Sequence, residues 1–219
     1  LLGVESDWPV LPLYIVEPEY WLQPDASHRH YQFISECLAE LRDDMTRIGQ
    51  PLIVRVGAAR DVLDQLSAKF QIHQIFSHEE TGNAWTYERD KAVRAWCRER
   101  GVPWTEVWQN GVLRGLENRD GWARNWSQRM QAPVADGPHS LEPLPDLKPG
   151  LIPTARDLGM KEDGCTERQQ GGRRAGLKSL RSFLTCRGLN YRREMSSPVT
   201  GFAACSRISP YLAFGALCL

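Results

Sequence analysis

VLPLYIVEP, residues 10–18, is the stretch that decides the fold. Its residues up to Val16 are nearly all apolar, as expected of a short strand buried on both faces of a parallel sheet. Working outward, Ser27 reads as the N-cap of a helix in which Phe33, Cys37, Leu41 and Met45 recur every four residues. Gly49 and Pro51 stop that helix. Residues 52–56 read as a second strand, Val62, Leu63, Leu66 and Phe70 mark a second helix, and residues 72–77 form a third strand. A helix over residues 85–100, closed by Gly101, leads to a fourth strand at 104–108. Strands alternating with helices predict an α/β domain, a Rossmann-like parallel sheet with flanking helices. Ligands of such folds sit at the carboxyl ends of the strands. Here those ends are Glu17-Pro18, Gly57 and the loop SHEETGN, residues 77–83.

Beyond the alternating region, Asn118 is expected to cap a short helix. Trp122, Trp126 and Met130 fall at i, i+4 and i+8 on it, and such a stripe reads as core packing. Pro133, Pro138, Pro143, Pro145, Pro149 and Pro153 then mark a linker wrapped over the surface. A basic helix is expected over residues 166–186, with Leu177, Leu180, Phe183 and Leu184 on its apolar side. A polar loop follows, then CSRISPYLAFGALCL, residues 205–219. The expected organisation is an α/β domain over 1–131, a linker over 132–160, and the start of an all-α domain over 161–219.

Of the 219 residues, 42% are apolar, enough for a core, and 25% are charged, as in an ordinary soluble globular chain. No run reaches the roughly 18 apolar residues of a membrane-spanning helix. The opening lacks the basic region and cleavage site of a secretory leader. Cys37, Cys97, Cys165, Cys186, Cys205 and Cys218 are scattered, with no C-x-x-C pair. That pattern argues against a zinc site or a disulfide framework and fits the reducing cytoplasm. The net charge is zero, yet residues 1–164 carry −7 and residues 165–219 carry +7. Either the C-terminal part faces an anion, or a solvated basic face complements the acidic domain.

Several motif-like stretches lead nowhere. GGRRAGLKS, residues 171–179, resembles a phosphate-binding P-loop, but Leu177 puts Lys178 out of register and no strand precedes it. No G-x-G-x-x-G is present. His78-Glu79-Glu80 lacks a second zinc-binding His, and His28 and His30, two apart, point different ways. No serine stands in a nucleophile elbow. Read this way, the residues give an α/β domain, a linker and a basic helical part, without a function.

Six stretches, in order, resemble the cryptochrome/photolyase family. They are VLPLYIVEPEYW (10–21), FSHEETGNAWTYERDKAV (76–93), WQNGVLRGLENRDGWARNW (108–126), GGRRAGLKSLRSFL (171–184), NYRREMSSP (190–198) and CSRISPYLAFG (205–215). The first three look like parts of that family's antenna domain, and the last three like the opening of its FAD-binding helical domain. The resemblance implies that Cys205, Ser206, Arg207, Ile208 and Ser209 contact the flavin's diphosphate and ribityl chain, with Tyr191 as a further flavin neighbour. Phosphate suits a helix start, where unpaired N–H groups and a partial positive charge meet small hydroxyl side chains and an Arg. N-capping by Ser206 and Ser209, ahead of Pro210, is the simpler alternative. Cys205 departs from the family's usual Thr, and a thiol is a weaker donor.

The family's chemistry is blue-light-driven electron transfer from reduced FAD to a pyrimidine dimer flipped out of DNA, a carbon–carbon lyase reaction. Arg192 and Arg193 are candidate contacts to damaged DNA, although the family's usual DNA-contacting Arg falls at Met195. The resemblance further implies that this chain starts after the family's first, central strand and stops within the helical domain. On that basis two unpaired strand edges are expected. Most of the flavin pocket and the family's tryptophan relay would lie outside the sequence, and the chain alone is expected not to hold flavin stoichiometrically. Three readings follow from the resemblance: part of a DNA photolyase, part of a cryptochrome photoreceptor without repair activity, or an inert α/β fragment. An antenna chromophore of folate or deazaflavin type would sit near Glu17, Gly57 and residues 79–83.

Overall fold

The computed structural model describes residues 8–133 and 136–218. In chain order the elements are β1 (Leu13–Val16), α1 (Pro18–Trp21), α2 (His28–Arg47), β2 (Ile53–Val56), α3 (Ala59–Ser67), β3 (Ile75–His78), α4 (Ala84–Arg100), β4 (Trp104–Val107) and α5 (Trp122–Met130). The C-terminal part adds α6 (Arg173–Thr185), a 3-10 turn (Arg187–Asn190), α7 (Tyr191–Glu194), α8 (Gly201–Ala204) and α9 (Ser209–Ala213). Two compact units result. One comprises the residues up to Asp25 with Asp44–Leu151, and the other joins Ala26–Asp43 to Ile152–Leu219. Most of α2 therefore belongs with the C-terminal segment.

In the first unit the strands are parallel, as predicted, but they form two pairs. Leu13 to Val16 of β1 run beside Ile53 to Val56 of β2, and Ile75 to His78 of β3 beside Trp104 to Val107 of β4. No ladder joins the pairs among the described residues, so β1 and β3 each keep an edge without a strand partner. A shared core holds the pairs: Ile15 of β1 and Ile75 of β3 both pack on Ala59, Leu63, Val93, Trp96 and Cys97. Trp96 is fully buried, and its indole N–H donates to Asp64 Oδ1 at 2.7 Å. Arg100 Nη2 reaches the same oxygen at 2.7 Å, tying α4 to α3.

The proline-rich segment covers the outer edge of β2. Val54 N–H donates to Pro149 O at 2.7 Å, and Arg55 Nη2 to Lys148 O at 3.0 Å. The backbones approach so closely that a Cβ at Gly150, whose φ is +78°, would lie 2.2 Å from Val54 O. Only glycine fits there. The buried Gln50 is explained by the same wrapping, since its Oε1 accepts from Leu144 N–H at 2.7 Å.

Local signals explain the helix ends, with three corrections. Asn83 Oδ1 accepts from Thr86 N–H at 3.1 Å and caps α4, and Gly101 closes it at φ +65°. At the start of α2, however, the Ser27 hydroxyl is buried without a partner, and Asp163 Oδ2 accepts Arg29 N–H at 3.2 Å instead. Asn118 closes a turn onto Asp120 N–H, and α5 begins only after Gly121 at φ +74°. The expected core stripe on α5 is absent. That helix buries no residue, and Trp122 and Trp126 are 43% and 42% exposed. The two rings stack on each other with centroids 6.3 Å apart, and a Cβ at Gly111 would meet Trp126 Cδ1 at 2.1 Å. Period-four spacing fixed a shared face for these side chains, but not a layer to cover it.

In the second unit Phe33, Tyr211 and Leu217 form a core with Cys37, Ala175, Leu212 and Ala216 around it. The basic helix begins at Arg173, later than predicted, after the Gly171-Gly172 step. Carboxylates of α2 hold that step. Glu36 Oε2 accepts Gly171 N–H at 2.6 Å, Glu40 Oε1 accepts Arg174 N–H at 3.0 Å, and Cys37 Sγ accepts Gly172 N–H at 3.0 Å. The donors a P-loop would offer to phosphate are thus already taken, which removes that decoy on physical grounds.

Candidate functional site

Residues 205–209 link α8 to α9. Arg207 has φ +59°, a left-handed conformation that costs a non-glycine residue roughly 1 kcal/mol or more. Ile208 follows in the right-handed region, at φ −90° and ψ −9°. Successive residues of opposite hand turn their N–H groups toward one concavity, a backbone nest for anions. The N–H groups of Ser206, Arg207, Ile208 and Ser209 have no acceptor among the described residues. Nor do the Ser206 and Ser209 hydroxyls cap α9, which has no side-chain cap and carries Pro210 in its first turn. Simple capping therefore does not account for the two serines. Because α9 is only five residues long, the unspent donors, rather than a helix dipole, are what can attract an anion.

Side chains around the segment are placed as follows. The Arg207 guanidinium lies over the Phe202 ring, 3.6 Å from its centroid. Cys205 Sγ donates to Met195 O at 3.8 Å, and Met195 N–H donates to Tyr191 O at 2.9 Å, which links α7 to the segment. The Tyr191 ring is 39% exposed and meets Phe183 edge-on at 5.6 Å. Arg192 is exposed and has no partner among the described residues, whereas Arg193 pairs with Glu194 at 2.9 Å.

Two residues that sequence reasoning missed hold the segment from behind. Arg187 Nη1 donates to Cys205 O, and its Nη2 donates to Ser206 O at 3.2 Å and Ser179 O at 2.8 Å. Gln169 Nε2 donates to Arg207 O at 2.6 Å. In the sequence Arg187 is one cation among many in a basic stretch, and nothing in its spacing sets it apart.

At the strand ends the arrangement is different. Glu17, 5% exposed, accepts Ala59 N–H at 2.9 Å and Arg89 Nη1 at 3.0 Å. Arg89 also reaches Glu80 at 3.2 Å and Asp90 at 3.0 Å. Burial pushes the Glu17 carboxyl up, and the Ala59 N–H and Arg89 offset only part of that. Burial raises Asp90 as well. A cavity of about 390 Å³ lies elsewhere, lined by Arg94, Cys97, Arg98, Trp104 and Glu106 among others. Of the polar groups near the expected antenna position, Glu17, Glu80, Arg89 and Asp90 bond one another. Among the described residues no group of His, Cys, Asp and Glu could hold a metal ion, and no helix is long and apolar enough to cross a membrane.

The sequence profile of the DNA photolyase family matches residues 3–118. Cryptochrome DASH of Gloeobacter violaceus is 27% identical over 204 residues, covering 85% of this chain and 40% of that protein. Among solved structures, the cryptochrome of Synechocystis sp. PCC6803 superposes with a TM-score of 0.79 at 18% identity, covering 99% of this chain and 49% of its own. The archaeal photolyase of Sulfolobus tokodaii, solved with two FAD molecules, gives 0.68 at 23% identity, covering 98% and 47%. These superpositions establish a shared fold, and the chain spans less than half the length of these proteins. With a profile match over more than half its residues, a parallel α/β unit and a helical unit in the same order, the chain belongs to the cryptochrome/DNA photolyase family.

Proposed function

We propose that this chain is part of a blue-light-dependent flavoprotein of the deoxyribodipyrimidine photolyase type and that residues 205–209 receive the diphosphate of FAD. One observation carries the reading: four consecutive N–H groups around the left-handed turn at Arg207 have no acceptor among the described residues. A doubly charged diphosphate is the chemistry such a donor set fits. Bound FAD would supply the light-driven electron that splits a pyrimidine dimer in DNA. The chain's own residues bind and orient. Ser206 and Ser209 offer hydroxyls, Arg207 offers guanidinium edges left unspent by its stacking on Phe202, and Tyr191 lends an exposed ring. Arg192 and Arg193, exposed on α7, with Arg193 paired to Glu194, are the cations assigned to DNA phosphates in this reading. Cryptochrome-type photoreception without repair uses the same flavin contacts and is the second reading, supported by the likeness to cryptochromes. We assign residues 1–131 to the antenna-type domain, 132–160 to the linker and 161–219 to the FAD-binding part, and the scattered cysteines, without a C-x-x-C pair, support a reducing cytoplasm.

The test is a titration of the purified chain with FAD, ADP and riboflavin. FAD is expected to bind substoichiometrically on purification but measurably on titration, to be displaced by ADP, and to outbind riboflavin at least tenfold. Equal binding of FAD and riboflavin, or no binding of either FAD or ADP, overturns the diphosphate assignment.

A further inference from the structure

The remaining unassigned feature of the second unit is the grip on the back of residues 205–209, and it rests on three consecutive peptide planes. In a trans peptide the carbonyl of one residue and the N–H of the next are fixed in one plane and point in opposite directions. Holding a carbonyl therefore aims the following N–H. Arg187 Nη1 holds Cys205 O and so aims the N–H of Ser206. Arg187 Nη2 at 3.2 Å and Ser179 Oγ at 3.0 Å hold Ser206 O and so aim the N–H of Arg207. Gln169 Nε2 at 2.6 Å holds Arg207 O and so aims the N–H of Ile208. All three carbonyls are occupied, and the three N–H groups have no acceptor among the described residues.

Arg187 is itself fixed. Its Nε donates to Ser182 Oγ at 2.9 Å and its Nη2 to Ser179 O at 2.8 Å, both on α6. A planar guanidinium with five donors can serve two carbonyls and a helix face at once, and an ammonium cannot reproduce that fork. The strained φ of +59° at Arg207 also needs surrounding contacts to persist, and these hydrogen bonds supply them.

We propose that Arg187 is a positioning residue for the flavin site: its guanidinium holds the carbonyls of Cys205 and Ser206 so that the N–H groups of Ser206 and Arg207 face the diphosphate. Gln169 completes the lock. The proposal rests on the diphosphate assignment above, and two measurements separate their fates.

The experiment compares the wild-type chain with Arg187→Lys and Arg187→Met, by backbone amide NMR order parameters without ligand and by FAD and ADP titration. In the wild type the amides of 206 and 207 are expected to be as ordered as a helix, about 0.85, and in both variants to fall below about 0.6. FAD and ADP affinity should fall at least tenfold in both variants, with riboflavin binding unmoved. Arg187→Lys keeps the charge, so a loss there assigns the effect to the fork. Its melting temperature should stay close to that of the wild type, which separates aiming from stability. Unchanged order parameters in Arg187→Lys, or FAD affinity retained by it, overturn the positioning role. Lost order in a protein whose wild type binds neither FAD nor ADP overturns the diphosphate assignment, and with it the function of the lock.

Discussion

The carboxyl ends of the strands and the turn at residues 205–209 both gather polar groups, and they spend them in opposite ways. At the strand ends Arg89 faces Glu17, Glu80 and Asp90, and the Glu17 carboxylate also accepts the Ala59 N–H. At the turn the carbonyls are occupied by Arg187 and Gln169, while the N–H groups of Ser206 to Ser209 have no acceptor among the described residues. A cluster whose groups satisfy each other contributes to stability, whereas oriented donors without acceptors mark a place for an anion.

The largest expected effect comes from breaking the sealed cluster. Arg89→Met leaves three carboxylates facing one another, two of them well buried, and should lower unfolding stability by about 3 kcal/mol, measured by urea denaturation. FAD titration should be unmoved by it. A drop in FAD affinity matching the stability loss would break the contrast between the two regions.

Next in size is Arg207→Gly, which keeps the left-handed turn and removes the guanidinium. FAD affinity should fall by ~1.5 kcal/mol or more, the worth of charge-assisted hydrogen bonds. Stability should rise by ~0.5 kcal/mol, because relief of the left-handed strain outweighs the lost stacking on Phe202. A variant that loses stability and keeps FAD would assign Arg207 to the scaffold.

The smallest effects are those of pH, and they should have opposite signs at two Arg-paired glutamates. Burial pushes Glu36 up, but hydrogen bonds from Arg168 and Gly171 N–H outweigh it and hold the carboxyl below its ordinary 4.5. Its stabilisation is therefore present above 4.5 and lost as pH falls through the folded value. Glu17 lies above 4.5, so its contribution favours the folded state below 4.5 and is lost as pH rises through the folded value. Glu36→Gln should flatten the acid loss of the urea midpoint, and Glu17→Gln should steepen it. Each change should be a fraction of the ~1.4 kcal/mol that corresponds to a tenfold change in one carboxyl's proton affinity. Equal slopes in both variants would remove the distinction between a shared arginine and an unshared one.

What the sequence by itself determined is local. The apolar run before Glu17, the period of α2 and the Gly101 stop placed the alternating elements to within a few residues, because side-chain period and caps act over one or two turns. The Ser-Arg-Ile-Ser stretch could be singled out from sequence because its small hydroxyls and Arg are neighbours in the chain, and the flavin role proposed for it came from the family resemblance. Everything decided at long range was invisible. Asp163 rather than Ser27 caps α2, Glu36 and Glu40 occupy the P-loop-like turn, and α5 leaves its tryptophan stripe uncovered. Arg187 and Gln169 aim the turn from 18 and 38 residues away. Such pairings carry no periodic or capping signal, because the chain between the partners can take many lengths and compositions. Only the packed tertiary structure, which decides which carbonyls are held and which N–H groups remain, turns a motif into a site.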